Sequence, residues 1–319
     1  MTSARQGAAL GVQRAATRGS PMARWQTDHV IALLRDRARA EAEPLVVSTE
    51  ADRRLDLAIS ELGGKGAFAR EVQAAVLDGR ADLAVHSGKD LPSTSPDGLV
   101  VAAVLERHDP RDVVVGGRLA DLPPGALVGT GSPRRRAQLA WMRPDLTFAE
   151  VRGNVGTRLA KLDRGEVDVL VLALAGLQRL GLEGERPTDV LDVEVMVPQV
   201  AQGTLAVECR ADDESTRERL ATLDHAPTRR IFEAERAFLA ALGGDCYLPA
   251  GAHARPVAVD GGPGAGGSER QLELEAMIAS PDGHVVLRHR VRGEDPPALG
   301  AAAAAFLLDE AGGRQLLDG

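Results

Sequence analysis

The chain has 319 residues, 44% of them hydrophobic and 26% charged, which is enough apolar material for a packed core and excludes wholesale disorder. Its 38 Lys and Arg against 46 Asp and Glu give a net charge of −8, which argues against a generic nucleic-acid binder with its basic balance. It has no run of 18 apolar residues to span a membrane, and two cysteines are too few for a disulfide-stapled scaffold or a four-cysteine zinc site.

At roughly 150 residues per domain, the length predicts two or three domains. Residues 1–12 read as a loose tail without the apolar segment of a signal peptide, so the expected compartment is the reducing cytoplasm. Thr17-Arg18-Gly19-Ser20-Pro21 then opens a helix carrying Met22, Trp25, Val30, Leu33 and Leu34, with Ser20 as N-cap and Pro21 at the first helical position. Leu45-Val46-Val47 reads as a strand. Residues 66–79 read as an amphipathic helix with Phe68, Val72, Ala75 and Val76 on one face and Gly79 as its stop. Ala81–Val85 reads as a strand that runs into His86-Ser87-Gly88-Lys89-Asp90-Leu91-Pro92.

A second unit begins after Pro110, with strands at Val113–Val115 and Leu127-Val128. Gly129-Thr130-Gly131-Ser132-Pro133-Arg134 opens a helix through Leu139 and Trp141, repeating the earlier Gly-Ser-Pro start. Free N–H groups and a partial positive charge make such a helix end an anion site, with ordinary capping as the plainer alternative. Val151–Arg158 is a further loop entering a helix, and Val167–Ala173 reads as a strand buried on both faces, followed by a helix over 175–182. Strands alternating with helices predict parallel α/β sheets. After the connector Val197–Gly203 come a strand at Leu205–Cys209 and a helix over 229–242. Leu272–Ile278 and Val285–Val291 alternate like antiparallel strands beyond a Gly-rich loop at 261–267, and residues 298–317 read as a terminal helix.

Only three of the cationic residues are lysines, Lys65, Lys89 and Lys161, a compact ammonium kept in an otherwise arginine-rich chain. Arginines gather where loops enter helices: Arg18, Arg134, Arg135, Arg136, Arg152, Arg158 and Arg179. A guanidinium grips a carboxylate with two parallel hydrogen bonds, so the pattern points to a polyanionic small ligand, against the alternative of solvated surface arginines. Asp90 ends a strand where α/β sheets place their ligands, and suits general acid–base work or the stabilisation of a cation. Cys246 lies in the loop Gly243–Pro249 as a candidate nucleophile or attachment point, whereas Cys209 in an apolar strand reads as a buried hydrophobe. The histidines and cysteines do not cluster at ligand spacing, so no metal site is expected.

Six runs together resemble the porphobilinogen deaminase (hydroxymethylbilane synthase) family: Ala16–Pro21, Gly63–Phe68, Asp82–Pro92, Val128–Arg135, Arg152–Leu159 and Gly203–Arg210, in family order across residues 14–251. The resemblance implies an α/β fold of two periplasmic-binding-protein-like lobes with a central cleft, plus a small α+β C-terminal domain. The implied division is 13–104 with 203–222, then 109–200, then 225–319. It implies a transferase of porphyrin (heme) biosynthesis. The enzyme removes ammonia from porphobilinogen, joins four of the resulting azafulvene-like units head to tail, and hydrolyses the product to hydroxymethylbilane. The chain grows on a dipyrromethane cofactor held by a thioether, for which Cys246 matches the attachment cysteine.

By the same resemblance, Asp90 matches the catalytic aspartate. Lys89, Asp90, Thr130, Ser132, Arg134, Arg135 and Arg158 match positions that hold the cofactor. Arg18, Ser20, Arg152, Arg158, Arg179, Lys65 and Phe68 match positions on the substrate side, with Lys65 in a mobile loop over the cleft. A monomer without nucleic-acid or membrane partners is implied. The chain departs from the family at Asp245, Ala51 and Ala201, where glycine is usual; alanine at the interdomain hinge is expected to stiffen it, because a Cβ disfavours positive φ.

Overall fold

Parallel strands capped by Gly-Ser-Pro loops build two sheets of the same topology. The computed structural model describes residues 12–49, 66, 68–243, 248–257 and 271–317. The expectations for Lys65, Ala51, Asp245, Cys246 and the 261–267 loop fall outside the described residues. Strand β1 (Gln13–Arg18) leads into helix α1 (Pro21–Ala38), then β2 (Ala42–Val47), α2 (Arg70–Leu77), β3 (Leu83–Ser87) and β4 (Leu99–Val104). The chain crosses over and forms β5 (Asp112–Val115), β6 (Leu127–Gly129), α3 (Pro133–Met142), β7 (Thr147–Ala149), α4 (Val155–Asp163), β8 (Val169–Ala173), α5 (Leu174–Leu180) and β9 (Thr188–Leu191). It returns as β10 (Leu205–Arg210) and α6 (Glu214–Ala221).

The first sheet has the order β2-β1-β3-β10-β4 and the second β7-β6-β8-β5-β9. In each, three parallel strands adjoin one antiparallel strand fed by the crossover, β10 in the first and β5 in the second. The two crossover segments pair with one another: Leu105 N–H donates to Leu205 O, and His108 N–H to Gly203 O. Gly203 has φ +86°, and a Cβ there would stand inside contact distance of the His108 carbonyl oxygen, so only glycine lets the two segments lie so close.

The third unit packs α7 (Ala226–Ala241) and α8 (Pro296–Ala305) on an antiparallel sheet of β11 (Ala250–Pro256), β12 (Leu272–Ala279) and β13 (Val286–Gly293). Its core joins Phe232, Phe238 and Leu239 of α7 to Leu272, Leu274 and Ile278 of β12 and to Leu299 of α8. The helix expected over 298–317 is shorter: α8 ends at Ala305, a wider turn covers Phe306–Glu310, and Gly312 follows with φ +80°. The helix expected over 66–79 likewise begins only at Arg70, so Phe68 sits in the turn before it.

Candidate active site

Each lobe presents its functional groups on loops at the C-terminal ends of its parallel strands. The loop after β1 ends in Ser20, whose Oγ accepts from Ala23 N–H at 3.2 Å and caps α1. The loop after β6 ends in Ser132, which caps α3 by accepting from Arg135 N–H at a long 3.4 Å. The loop after β7 ends in Asn154, whose Oδ1 accepts from Thr157 N–H at 2.9 Å and caps α4. After β3 a single turn over Gly88–Asp90 aims Lys89 and Asp90 at the opposite lobe.

Between the lobes lies a cleft of about 170 Å³ lined by Gly66, Phe68, Lys89 and Asp90 from the first lobe, Gly131–Arg135 and Arg158 from the second, and the connector residues Gln199 and Gln202. Asp90 is the only carboxylate among the described residues of this lining, and it accepts no hydrogen bond from any described residue. Lys89 and Arg158 both act on it through space. Burial, then Arg135, pushes the Lys89 ammonium down to about 8 against the pull of Asp90 and Asp112, with Arg134 pushing further. Burial, then Arg135, also takes Arg158 down to about 10, and its Nε donates to Gly153 O at 2.7 Å. The described lining is therefore a half-buried basin of positive charge that holds one carboxylate without a hydrogen-bond partner among the described residues.

Two of the expected cofactor ligands have an internal partner that the sequence did not announce. Asp112, fully buried at the start of β5, forms an ion pair with Arg134 Nη2 at 2.7 Å and accepts from Arg135 Nη2 and Nε at 2.7 and 3.0 Å. Burial opposes its ionisation, but Arg134 and then Arg135 outweigh that and hold its carboxyl at about 2. Arg134 also donates to Val197 O at 2.6 Å and is 1% exposed, so it lends the cleft its charge from beneath. Arg135 donates to Val171 O at 2.9 Å.

The remaining expected residues are spread around the cleft. Arg18 reaches its rim through Phe68, with the guanidinium 4.3 Å from the ring centroid. Thr130 is buried and its Oγ1 accepts from Ser132 N–H at 3.2 Å, bracing the loop. Arg152 stands beside Glu150 at 3.8 Å and near Arg158. Arg179, expected on the substrate side, lies beside the hinge: its Nη2 donates to Gly203 O at 2.7 Å and its guanidinium lies 5.7 Å over the Trp25 ring. Its length allows α5 to reach the crossover, and burial takes it down to about 10.

The structure adds Asp112, Gln202 and Glu235 to the polar framework. Glu235 of α7, fully buried, accepts from Arg107 at 2.7 Å, Ala201 N–H at 2.7 Å and Ala254 N–H at 2.9 Å, and so fastens the crossover and hinge to the third unit. Ala201 has φ +56°, the strained conformation expected of an alanine at this hinge. A second hollow beside β4 mixes the carboxylates Glu214, Glu218 and Asp224 with Arg217 and Arg229 against an apolar floor of Val100–Ala102. No group of metal-ligating side chains and no helix long and apolar enough to cross a membrane occurs among the described residues.

Comparison with known proteins shows the family of the chain. The family description "Porphobilinogen deaminase, dipyromethane cofactor binding domain" matches residues 14–218, and "Porphobilinogen deaminase, C-terminal domain" matches residues 230–309. A porphobilinogen deaminase of Brevibacillus brevis is 42% identical over 97% of this chain and 98% of its own length. One from Geobacillus kaustophilus is 44% identical over 95% of each, and one from Acidithiobacillus ferrooxidans is 45% identical over 92% of this chain and 94% of its own. Among solved structures, a periplasmic substrate-binding protein of an ABC transporter from Coxiella burnetii aligns with a TM-score of 0.41 at 15% identity, covering 66% of this chain and 92% of that one. A nutrient binding protein from Burkholderia cenocepacia bound to methionine gives 0.41 at 15%, covering 66% and 90%.

Proposed function

The chain belongs to the porphobilinogen deaminase family, a transferase that polymerises porphobilinogen in tetrapyrrole biosynthesis, and we propose that Asp90 directs this chemistry from the centre of the cleft. The observation that carries the assignment is the Asp90 carboxylate, free of hydrogen-bond partners among the described residues and facing Lys89 and Arg158. When ammonia leaves porphobilinogen, positive charge builds on the pyrrole. A carboxylate fixed beside the ring stabilises that charge more than it stabilises the neutral substrate, and so lowers the barrier. As the only carboxylate of the described lining, Asp90 is also the group placed to take up the proton that the attacking carbon releases.

The acetate and propionate arms of each unit need cations. Lys89, Arg158 and the N-terminal turn of α3 at Ser132 serve them directly, with Arg135 at the lobe junction. Arg18 and Arg152 guide the arms from the rim, and Thr130 braces the loop that presents Ser132. The dipyrromethane cofactor supplies the free pyrrole carbon on which the product grows. Its carboxylates suit the cations of this lining, and Cys246 is the proposed tether. A monomer is the proposed working unit, in the reducing cytoplasm that suits the free buried thiol of Cys209.

The test is the intact mass of the denatured protein after incubation with porphobilinogen. Two linked pyrrole units in excess of the polypeptide, lost in Cys246→Ser, are expected. A bare polypeptide mass after incubation would refute the assignment of Cys246. Asp90→Asn is expected to keep the attached mass or fail only in its acquisition, and to lose nearly all turnover; a wild-type kcat in that variant would refute the role of Asp90.

A further inference from the structure

Gln202 lies where the two segments joining the lobes run side by side, and all four of its polar groups are engaged. Its N–H donates to Gln199 O at 2.9 Å, and its backbone carbonyl accepts from Arg107 Nε at 2.8 Å. Its side-chain Nε2 donates to Pro110 O at 2.7 Å and to Asp112 Oδ1 at 2.9 Å. Both are acceptors, so the amide has one possible orientation: nitrogen toward the second lobe, oxygen toward the cleft. That oxygen receives Lys89 Nζ of the first lobe at 3.4 Å and Arg135 Nη2 of the second at 3.5 Å. One neutral oxygen thus stands between two cations that repel each other and belong to different lobes.

We propose that Gln202 is a positioning residue whose amide oxygen holds Lys89 and Arg135 around one point, presetting one cation from each lobe to receive the same substrate carboxylate. This rests on the reading of Lys89 and Arg135 as carboxylate ligands. The distances support a division of labour within the side chain. The nitrogen is tightly anchored, while the cations rest on the oxygen at the long end of hydrogen-bond range. A substrate carboxylate, with full charge and shorter charge-assisted bonds, takes both cations without moving the anchor. Only an amide meets both demands. A glutamate would set an acceptor against Asp112 Oδ1, and an aliphatic side chain would leave Asp112 one bond short and remove the oxygen that Lys89 and Arg135 share.

Presetting lowers the ordering cost of binding rather than the barrier of the chemical step, so its loss raises KM more than it lowers kcat. Lys89 is also affected by sign. Its ammonium is pushed down to about 8 by burial and by Arg135, with Arg134 adding to this, while Asp90 and Asp112 pull it up. Removing the Gln202 oxygen removes a partner of the charged form, so Lys89 loses its proton at lower pH. A carboxylate in its place does the opposite.

The experiment uses Gln202→Leu, Gln202→Glu and Lys89→Gln, each first checked for attached pyrrole mass and melting temperature. In Gln202→Leu, KM for porphobilinogen is expected to rise about tenfold with kcat within about threefold, and the alkaline limb of kcat/KM to move to lower pH. In Gln202→Glu that limb moves to higher pH. A purely structural role lowers the melting temperature and the active fraction without opposite displacements of the limb, and that result overturns the proposal. If Lys89→Gln raises KM while Gln202→Leu matches wild type, the proposal fails and the carboxylate reading stands. If Lys89→Gln leaves KM unchanged, the carboxylate reading fails and takes the proposal with it. Should Gln202→Leu not fold, Gln202→Glu decides alone: a limb that does not rise overturns the inference.

Discussion

Asp112 carries a single negative charge that two buried guanidinium groups share. Removing one partner of a buried pair leaves uncompensated charge, a loss of about 3–5 kcal/mol, whereas the intact pair stabilises far less than that figure suggests. Asp112→Asn is therefore expected to lower unfolding free energy by about 3 kcal/mol in urea denaturation; a change under about 1 kcal/mol would show that the arginines find other partners. The acid behaviour follows the same residue. Its carboxyl sits at about 2 in the fold against an ordinary 3.8, and Glu208, whose burial is outweighed by His86, Ser95 and Gln73, also sits at about 2 against 4.5. Both folded values are depressed, so both contributions are whole above about pH 4.5 and vanish as pH falls toward 2. The melting temperature of wild type should drop steeply in that window, and less steeply in Asp112→Asn. None of this pairing was legible in the sequence. Asp112 and Arg135 are 23 residues apart, and a lone aspartate opening an apolar strand gives no sign of its partners.

At the scale of elements, the local chemistry at helix starts was plain in the sequence, because caps depend on neighbours within three residues. Ser20, Ser132 and Asn154 all cap, and Pro21 and Pro133 open their helices. The caps differ in quality, and that difference separates stability from binding. Asn154 Oδ1 receives its N–H at 2.9 Å, whereas Ser132 Oγ does so at 3.4 Å. Asn154→Ala should lose about 1 kcal/mol by thermal or denaturant unfolding. Ser132→Ala should lose less than about half of that, yet raise KM several-fold, since a loosely used hydroxyl at a helix N-terminus facing the cleft is available to a carboxylate. Equal stability losses with unchanged KM would remove Ser132 from the binding set. Strands were less legible than helix starts. β11 reads Ala-Gly-Ala-His-Ala-Arg-Pro, with no branched or aromatic residue, and becomes a strand only because β12 offers it a partner. β4 acquires its place through β10, more than a hundred residues later. The Phe68 turn shows the same limit from the other side: helical spacing predicted a helix that the chain enters only at Arg70.

At the scale of the whole molecule, the junctions between units are held by buried charge, and three histidines lie among those charges. His253 on β11 stands by Arg107, Arg255 and Asp109, and its Nδ1 has no partner among the described residues. Burial, then Arg107 and Arg255, lowers it from 6.5 to about 3, against the pull of Asp109. His29 and His108 meet edge to face beside Trp25, where burial and Arg179 lower both. A histidine lowered by folding stays neutral in the fold while the unfolded chain takes up a proton. Stability is therefore complete above the unfolded value near 6.5 and falls as pH drops below it. Ordinary carboxyls are half protonated only near about 4 to 4.5, so the upper part of the decline belongs mainly to the histidines. Wild type should lose melting temperature steadily from pH 6.5 to 4.5, and His253→Gln should flatten that decline by one proton's share. Arg107 gives the decline a direction. It is the group that protonated His253 would repel, and through Glu235 it ties the crossover and hinge to the third unit. Acid should therefore first loosen the docking of that unit on the hinge, seen as earlier amide exchange in α7 and β11 than in β6 and β8. Uniform exchange across all four elements at pH 5 would place the weak point elsewhere.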